Sequence, residues 1–307
     1  MNNKPKVLVL LSTYNGMKYL PEQLKSLQNQ EGVDVDILVR DDKSTDGTVK
    51  YLTEYAKRCS NLSFYTGNNL KPCKSFLDLI EKAQKYEYYA LCDQDDVWDS
   101  DKLFCAIKLI EKKQKKSIPI LYFSNLRVVD QNLDIIRISH QKPLIQKNKY
   151  SVLVESLPTG CTMVFNDALM MLLKDRIPGY CSMHDTWIYM VCKFFGEVIY
   201  DFEPHISYRQ HANNVIGTYK KKNFKFYYAK LKRMFDRKLQ PRYQNAISFL
   251  DCYGDMLNPK DREKVCELVH YKDSIFAKMR LLLDKDIYAT YKGRDFRIRI
   301  LIICGLL

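Results

Sequence analysis

Apolar runs and amphipathic stretches alternate along the first two thirds of the chain. Residues 6–11 (KVLVLL) form a nearly unbroken apolar run, the pattern of a strand buried on both faces. A polar turn, Ser12-Thr13-Tyr14-Asn15-Gly16, follows it. Over residues 19–27, Leu20, Leu24 and Leu27 recur at helical spacing. The alternation continues with a strand over 35–40 that ends in Asp41-Asp42 and a helix over 48–58, for which Ser44 and Thr45 are capping candidates. A strand over 62–65 and a helix over 74–85 come next, the latter with Phe76, Leu77, Ile80 and Ala83 on one face. Residues 88–92 (YYALC) then predict a short buried strand that runs into Asp93-Gln94-Asp95-Asp96. Downstream the pattern predicts a helix over 102–113, a strand over 118–123 and a hairpin over 126–138 around Asp130-Gln131-Asn132. A strand at 163–165, a helix over 168–174 capped by Asn166 or Asp167, a helix over 187–195, strands over 197–200 and 206–209, and a polar loop over 210–217 complete this part. Strand–helix alternation of this kind predicts an α/β fold with a mainly parallel sheet flanked by helices.

In such sheets ligands bind beyond the carboxyl ends of the strands. Three predicted strands end in polar clusters, at Thr13-Tyr14-Asn15, at Asp41-Asp42 and at Asp93–Asp96, so one edge is expected to carry a nucleotide site. Three acids within four residues repel one another unless a cation sits among them. Mg²⁺ or Mn²⁺ bridging phosphate oxygens suits such oxygen ligands. A solvated acidic turn accounts for the same short string, because D-x-D-D also occurs by chance. Asp41 and Asp42 fit equally as caps of the next helix, Asp185 as the cap of a helix from Thr186, and His211 as an ordinary loop histidine. Gly160 reads as permitting a tight turn, with a small residue beside an acceptor groove as the other reading, and Trp98 reads as core.

Composition adds a division. Of 307 residues 46% are hydrophobic, enough for a sizeable core, and the net charge is +13. Residues 218–307 hold 21 Lys and Arg against 10 Asp and Glu, so +11 of that charge lies in the last 90 residues. A near-neutral, enzyme-like body over 1–217 and a basic, mainly helical region over 218–307 that meets something anionic are expected. Residues 219–242 hold ten Lys and Arg and one acid, interleaved with Phe224, Phe226, Tyr227, Tyr228, Leu231, Met234 and Phe235. That pattern describes a basic amphipathic helix, suited to an anionic membrane surface. Packing of the aromatics on the catalytic body, or a single-stranded nucleic-acid tail, are the competing readings of those residues. The terminal apolar segment 296–307 is too short to span a bilayer and is expected to dock on the core or touch lipid. The ten cysteines show no paired spacing, and Cys92, Cys161, Cys192 and Cys304 sit in apolar runs, so reduced core thiols in a cytoplasmic protein are expected. The apolar run at 7–11 is too short for a signal peptide.

The strings Leu11-Ser12-Thr13-Tyr14-Asn15-Gly16 and Arg40-Asp41-Asp42-Lys43-Ser44-Thr45-Asp46-Gly47-Thr48 resemble the two nucleotide-binding signatures of the family 2 glycosyltransferases. Asp93-Gln94-Asp95-Asp96 stands where that family carries its D-x-D element, and the likeness covers roughly residues 5–217. The longer form Cys92-Asp93-Gln94-Asp95-Asp96-Val97-Trp98 is similar to a subgroup from bacterial polysaccharide assembly, often assigned to rhamnosyl transfer. The resemblance implies a GT-A fold. It implies that Thr13, Tyr14 and Asn15 line the nucleoside pocket and that Asp42 or Asp41 hydrogen-bonds the base. Asp93 would approach ribose or metal, Asp95 would ligate Mn²⁺ or Mg²⁺ with Asp96 nearby, and His211 would contact metal or diphosphate. Asp185 would be the general base, in a His184-Asp185 pair where many members have Glu-Asp.

The activity so implied is inverting, metal-dependent transfer from a nucleotide-sugar donor, with dTDP-L-rhamnose first and a UDP-hexose as the alternative. The acceptor would be a lipid-linked saccharide of cell-surface polysaccharide biosynthesis, met at the inner face of the cell membrane. No nucleic-acid partner is expected, although a basic nucleic-acid-associated protein on a nucleotide-binding fold is the different-class alternative. A nucleotidyltransferase would also use paired carboxylates, but no Gly-rich, Lys- or Arg-bearing triphosphate loop stands near the N-terminus.

Overall fold

The computed structural model describes residues 4–113, 117–144, 148–211 and 240–307. The chain divides into two compact units. One takes in Met1–Leu144, Pro158–Ile177 and Met183–Gly217, the other Ile145–Leu157, Pro178–Ser182 and Thr218–Leu307.

The first unit is a sheet with helices on it. Its elements run β1 (Lys6–Thr13), α1 (Leu20–Gln28), β2 (Asp34–Asp41), α2 (Thr48–Arg58), β3 (Leu62–Thr66), α3 (Lys71–Lys82), β4 (Tyr88–Asp93), β5 (Val97–Trp98) and α4 (Lys102–Glu111). Then come β6 (Ile120–Val129), β7 (Ile135–Ile138), β8 (Val164–Asn166), α5 (Asp167–Lys174), α6 (His184–Phe195) and β9 (Glu197–Arg209). Strand order is β3-β2-β1-β4-β8-β6-β9-β5, with β7 beside β6. The β3-β2-β1-β4 half is parallel. β8 runs antiparallel to both β4 and β6, and β6 and β9 are parallel. The sheet is thus mixed, and its parallel half carries the three polar strand ends. Val7 to Leu11 are all buried, as an apolar run central to such a sheet requires.

Two predicted breaks are absent. Residues 120–129 form one strand where the sequence predicts a strand and a separate hairpin arm, and 197–209 form one strand where it predicts two. The polar Ser124-Asn125 and the imino acid Pro204 suggest interruptions. They are absorbed as register shifts between β6 and β9. Asn125 Oδ1 accepts from its own neighbour Leu126 N at 3.0 Å, and Ser124 Oγ donates to Asn125 O at 2.8 Å, so local bonds serve where the ladder slips. Helix α6 begins at His184, three residues before the predicted start, which places His184 and Asp185 in its first turn. Trp98 is buried as expected.

The second unit is helical where described: α7 (Pro241–Tyr253), α8 (Pro259–Val269), α9 (Ile275–Leu283) and α10 (Lys292–Cys304). Its core includes Phe249, Tyr253, Val265, Leu268, Tyr271 and Ile302. The predicted basic amphipathic helix falls on residues 219–242, of which 219–239 lie outside the described residues. None of the ten cysteines is in a disulfide. Cys92, Cys161 and Cys192 are buried as expected, but Cys304 is exposed, because it ends α10 on the side that faces away from the core. Among the described residues no helix is long and apolar enough to cross a membrane.

Candidate active site

The parallel pairing sets three carboxyl ends side by side. Thr13 pairs with Asp41 and Ser12 with Asp93, so the ends of β2, β1 and β4 are level. Gln94, which the sequence reading left without a role, ties two of them. Its Oε1 accepts from Thr13 Oγ1 at 2.7 Å and Tyr14 N at 2.8 Å, and its Nε2 donates to Tyr14 O at 3.2 Å. A Cβ on Gly16 would stand 2.4 Å from Gln94 Oε1, so glycine here serves close approach. Tyr14 is exposed on the turn.

The second signature loop folds onto the first. Asn15, at φ 49°, receives Thr45 N on its side-chain oxygen at 2.8 Å and donates its own N–H to Ser44 Oγ at 2.8 Å. Asp46 accepts from Met17 N at 3.0 Å and from Thr48 Oγ1 at 2.6 Å. Burial pushes the Asp46 carboxyl up, but the Thr48 and Met17 hydrogen bonds outweigh it and leave the group below its usual range. Ser44 and Thr45 therefore brace the Asn15 turn instead of capping α2, whose N-cap is Gly47.

Asp41 and Asp42 now separate. Asp42 is committed: Oδ2 accepts from Leu70 N at 3.0 Å, and Oδ1 pairs with Arg40, which also holds Asp78 at 2.7 Å. Asp41 accepts from Ser44 N at 2.9 Å through Oδ1, while its buried Oδ2 has no hydrogen-bond partner among the described residues. Neither caps α2, which has no side-chain cap. A buried, unused acceptor at the level of Thr13 is the feature a base N–H would satisfy.

At the end of β4 the acids are compressed. Burial first, then the charges of Asp95 and Asp185, push the Asp93 carboxyl up to about 7. Asp96 is fully buried; Oδ1 accepts from Arg209 N at 3.1 Å and Oδ2 has no partner among the described residues. Burial and the neighbouring Asp95 and Asp93 hold it well above its usual range. One oxygen each from Asp93 and Asp96 and the Cys161 sulfur lie within 4.8 Å of one another. Asp95 Oδ2 meets His211 Nε2 at 2.7 Å. Of the expected metal set, Asp95 and His211 are in direct contact, whereas Asp96 turns inward beside Cys161.

Two basic side chains that the sequence reading did not assign, Arg209 and Lys102, stand around this cluster. Arg209 ends β9, donates its Nε to Asp95 O at 2.9 Å, and pairs with Glu22. It lies 4.7 Å over the Tyr19 ring, on which His211 also stacks at 4.8 Å. Lys102 is fully buried, with Nζ 3.0 Å from the centre of the Trp98 ring and no hydrogen-bond partner among the described residues. Burial draws its pKa down to about 7, opposed by Cys92, Cys161, Asp96 and Asp99. The available signal was a lone lysine among the apolar residues Leu103, Phe104 and Cys105 of the first turn of α4.

Asp185 sits in the first turn of α6, accepting from Thr186 N at 2.6 Å, while the N-cap position belongs to Met183. Its charge reaches Asp93. His184 is buried, stacked on Phe76 at 4.0 Å, and burial lowers its pKa. A Cβ on Gly160 would stand 2.6 Å from His184 Nε2, so this glycine makes room for the imidazole; a left-handed turn is not involved. Two carboxylates driven up by burial and mutual repulsion form a centre that a hard divalent cation would relieve. The oxygen donors of Asp93, Asp95 and Asp96 fit Mg²⁺ or Mn²⁺. Cys161, whose thiol burial pushes well up, adds no ionised ligand.

Comparison with known proteins agrees with the fold. The model of the family described as glycosyl transferase family 2 matches residues 8–170. The dTDP-rhamnosyl transferase RfbG of Shigella flexneri is 29% identical over 228 residues, covering 67% of this chain and 73% of that protein. Residues 1–349 of S. aureus TarS, solved in complex with UDP-GlcNAc, superpose with a TM-score of 0.55 at 17% identity, over 91% of this chain and 76% of that one. The mannosyltransferase PcManGT from Pyrobaculum calidifontis, solved with GDP-Man and Mn²⁺, gives a TM-score of 0.51 at 17% identity, over 99% of this chain and 86% of that one. The GT-A fold is that of these neighbours.

Proposed function

From its membership of glycosyl transferase family 2, to which this chain belongs, we propose that it transfers L-rhamnose from dTDP-L-rhamnose, with inversion, to a lipid-linked saccharide. The observation that carries this reading is the level placement of Thr13, Asp41 and Asp93 at adjoining strand ends, with an unused buried oxygen on Asp41. Thr13, Tyr14 and Asn15 frame the nucleoside, and Asp41 Oδ2 takes the base N–H. Asp42 acts indirectly, by fixing Arg40 and the 67–70 turn through its Leu70 bond. Asp93 faces the ribose and diphosphate. Asp95, joined by His211, and the neighbouring Asp93 and Asp96 would hold Mn²⁺ or Mg²⁺. Such an ion would neutralise the charge a diphosphate gains on leaving. Asp185 accepts the proton of the acceptor hydroxyl, and one base opposite the leaving group gives a single displacement. The rhamnosyl donor draws support from the likeness to RfbG. The excess of positive charge in residues 218–307 supports a reaction at the inner face of the cell membrane, with an acceptor carried on lipid, in cell-surface polysaccharide assembly.

A thermal-shift series with dTDP, UDP, GDP and CDP, each with and without Mn²⁺ or Mg²⁺, tests this. A ligand at a hundred times its Kd stabilises by about 2.7 kcal/mol. A metal-dependent shift largest for dTDP is expected. A UDP preference overturns the donor, a shift indifferent to metal overturns the metal, and no shift with any nucleotide overturns the site.

A further inference from the structure

In the helical unit one helix is apolar on the wrong side. On α9, Ile275 is 66% exposed, Phe276 83%, Met279 43% and Leu283 69%, whereas Leu281 is wholly buried. At about 100° per residue the four exposed side chains fall within one sector of roughly 100°, and Leu281 points the opposite way. The burial of Leu281 turns the other face outward. The N-cap Ser274 accepts from Ala277 N at 3.0 Å, and Arg280 is tied to Glu267 at 2.9 Å. The neighbouring α10 repeats the feature with Phe296 at 66% and Ile303 at 57%. Lys278 Nζ donates to Ile303 O at 3.4 Å, which ties α9 to the end of α10. Six large apolar side chains on adjacent helices exceed the scattered exposure ordinary for a water-facing surface.

We propose that the outer face of α9 and α10 is the element that seats this protein on an anionic lipid surface. Charge decides between the possible occupants. Residues 218–307 carry an excess of 11 positive charges, of which the described residues 240–307 hold 12 Lys and Arg against 9 Asp and Glu, and Lys285, Lys292 and Arg297, in or just beyond α9 and α10, are exposed. Apolar side chains rimmed by Lys and Arg enter the boundary between headgroups and acyl chains of anionic leaflets. Docking two copies through this face would bring two strongly basic units together. The inference deepens the membrane part of the proposed function and rests on that part only for the acceptor's identity. It assigns the insertion to described helices, apart from the basic stretch 219–239.

Co-sedimentation with vesicles tests it, using phosphatidylcholine alone and about equal parts phosphatidylcholine and phosphatidylglycerol. The full chain is expected to sediment with the mixed vesicles and stay free of the neutral ones. The double variant Phe276→Glu, Leu283→Glu changes only exposed positions and is expected to lose binding at least tenfold with its thermal midpoint unchanged. A Phe276→Trp chain is expected to show a blue shift of its emission on mixed vesicles. Wild-type binding by the double variant, or no binding by the wild type, overturns the proposal. So does a concentration-dependent dimer that the double variant abolishes, which would assign the face to a second copy. The nucleotide thermal shift, measured on both chains, separates this result from the other. Vesicle binding without any nucleotide shift would sink the transferase site and leave the lipid face standing.

Discussion

Gly160 is where a single methyl group decides. His184 is held between the Gly160 backbone and the Phe76 ring at 4.0 Å, so it has nowhere to retreat from a Cβ placed 2.6 Å from its Nε2. Gly160→Ala is expected to cost about 1–3 kcal/mol, as overpacked interiors do; urea unfolding of the variant measures it, and an unchanged midpoint would show that the imidazole can move. The neighbouring Asp185 poses a chemical question. If it is the base, Asp185→Asn loses about 10²–10⁴ in turnover while the nucleotide thermal shift survives. Near-normal turnover in that variant removes Asp185 from the role. At this scale the sequence yields residue types but not commitments. Asp41 and Asp42 read alike as letters. Only the fold shows that Arg40 and Leu70 N occupy Asp42 and leave an oxygen of Asp41 unused. Gln94 was invisible for the opposite reason: its task is a hydrogen-bonding geometry with no charge signature.

Elements were legible wherever hydrophobic periodicity was local. The β1, α2 and β4 segments lie where the apolar runs put them, and helix α2 spans Thr48–Arg58 as the spacing predicts. Strands β6 and β9 were misread because Ser124, Asn125 and Pro204 look like breaks, and only pairing between the two strands shows that they are irregularities inside long strands. One of those strands also carries a strap. His205 of β9 meets Asp101, at the N-terminus of α4, at 3.1 Å and Asp201 at 3.5 Å. The Asp201 hydrogen bond raises the His205 pKa most, against burial, and Asp101 adds to it. A histidine raised in the folded state contributes stability that is complete below its unfolded value, about 6.5, and lost as pH rises through the folded one. His205→Asn is therefore expected to lower the thermal midpoint clearly at acidic pH and progressively less above neutrality. An equal loss at alkaline pH would mean that packing, and not the charge, holds α4 to β9.

At the scale of the whole molecule, the sequence places a boundary at 217, where the charge asymmetry begins. The helical unit, however, also contains Ile145–Leu157 and Pro178–Ser182, segments far upstream of that point. Composition cannot reveal this, because neither segment is basic enough to stand out, and their partners lie 63 to 139 residues away. The links are specific. Tyr150 donates to Asp261 at 2.9 Å and Lys149 pairs with it at 2.6 Å. The buried Glu155 carboxylate pairs with Arg294 and accepts Thr290 N at 2.7 Å. Ser182 N donates to Asn245 at 2.9 Å and Tyr180 N to Ser248 at 3.1 Å. Buried beside these links are Val152, Leu153 and Val154. A chain cut after Gly217 would expose those three and Tyr150, at about 1.5–3 kcal/mol for each apolar side chain. That is comparable with the whole stability of an ordinary domain, about 5–15 kcal/mol. Truncation at 217 is thus expected to give aggregated protein, or soluble protein without a cooperative calorimetric transition. The double-glutamate chain of α9, by contrast, keeps both yield and transition. A soluble 1–217 fragment that unfolds cooperatively would show that the upstream segments find cover without the helices, and that the charge boundary read from the sequence is also the folding boundary.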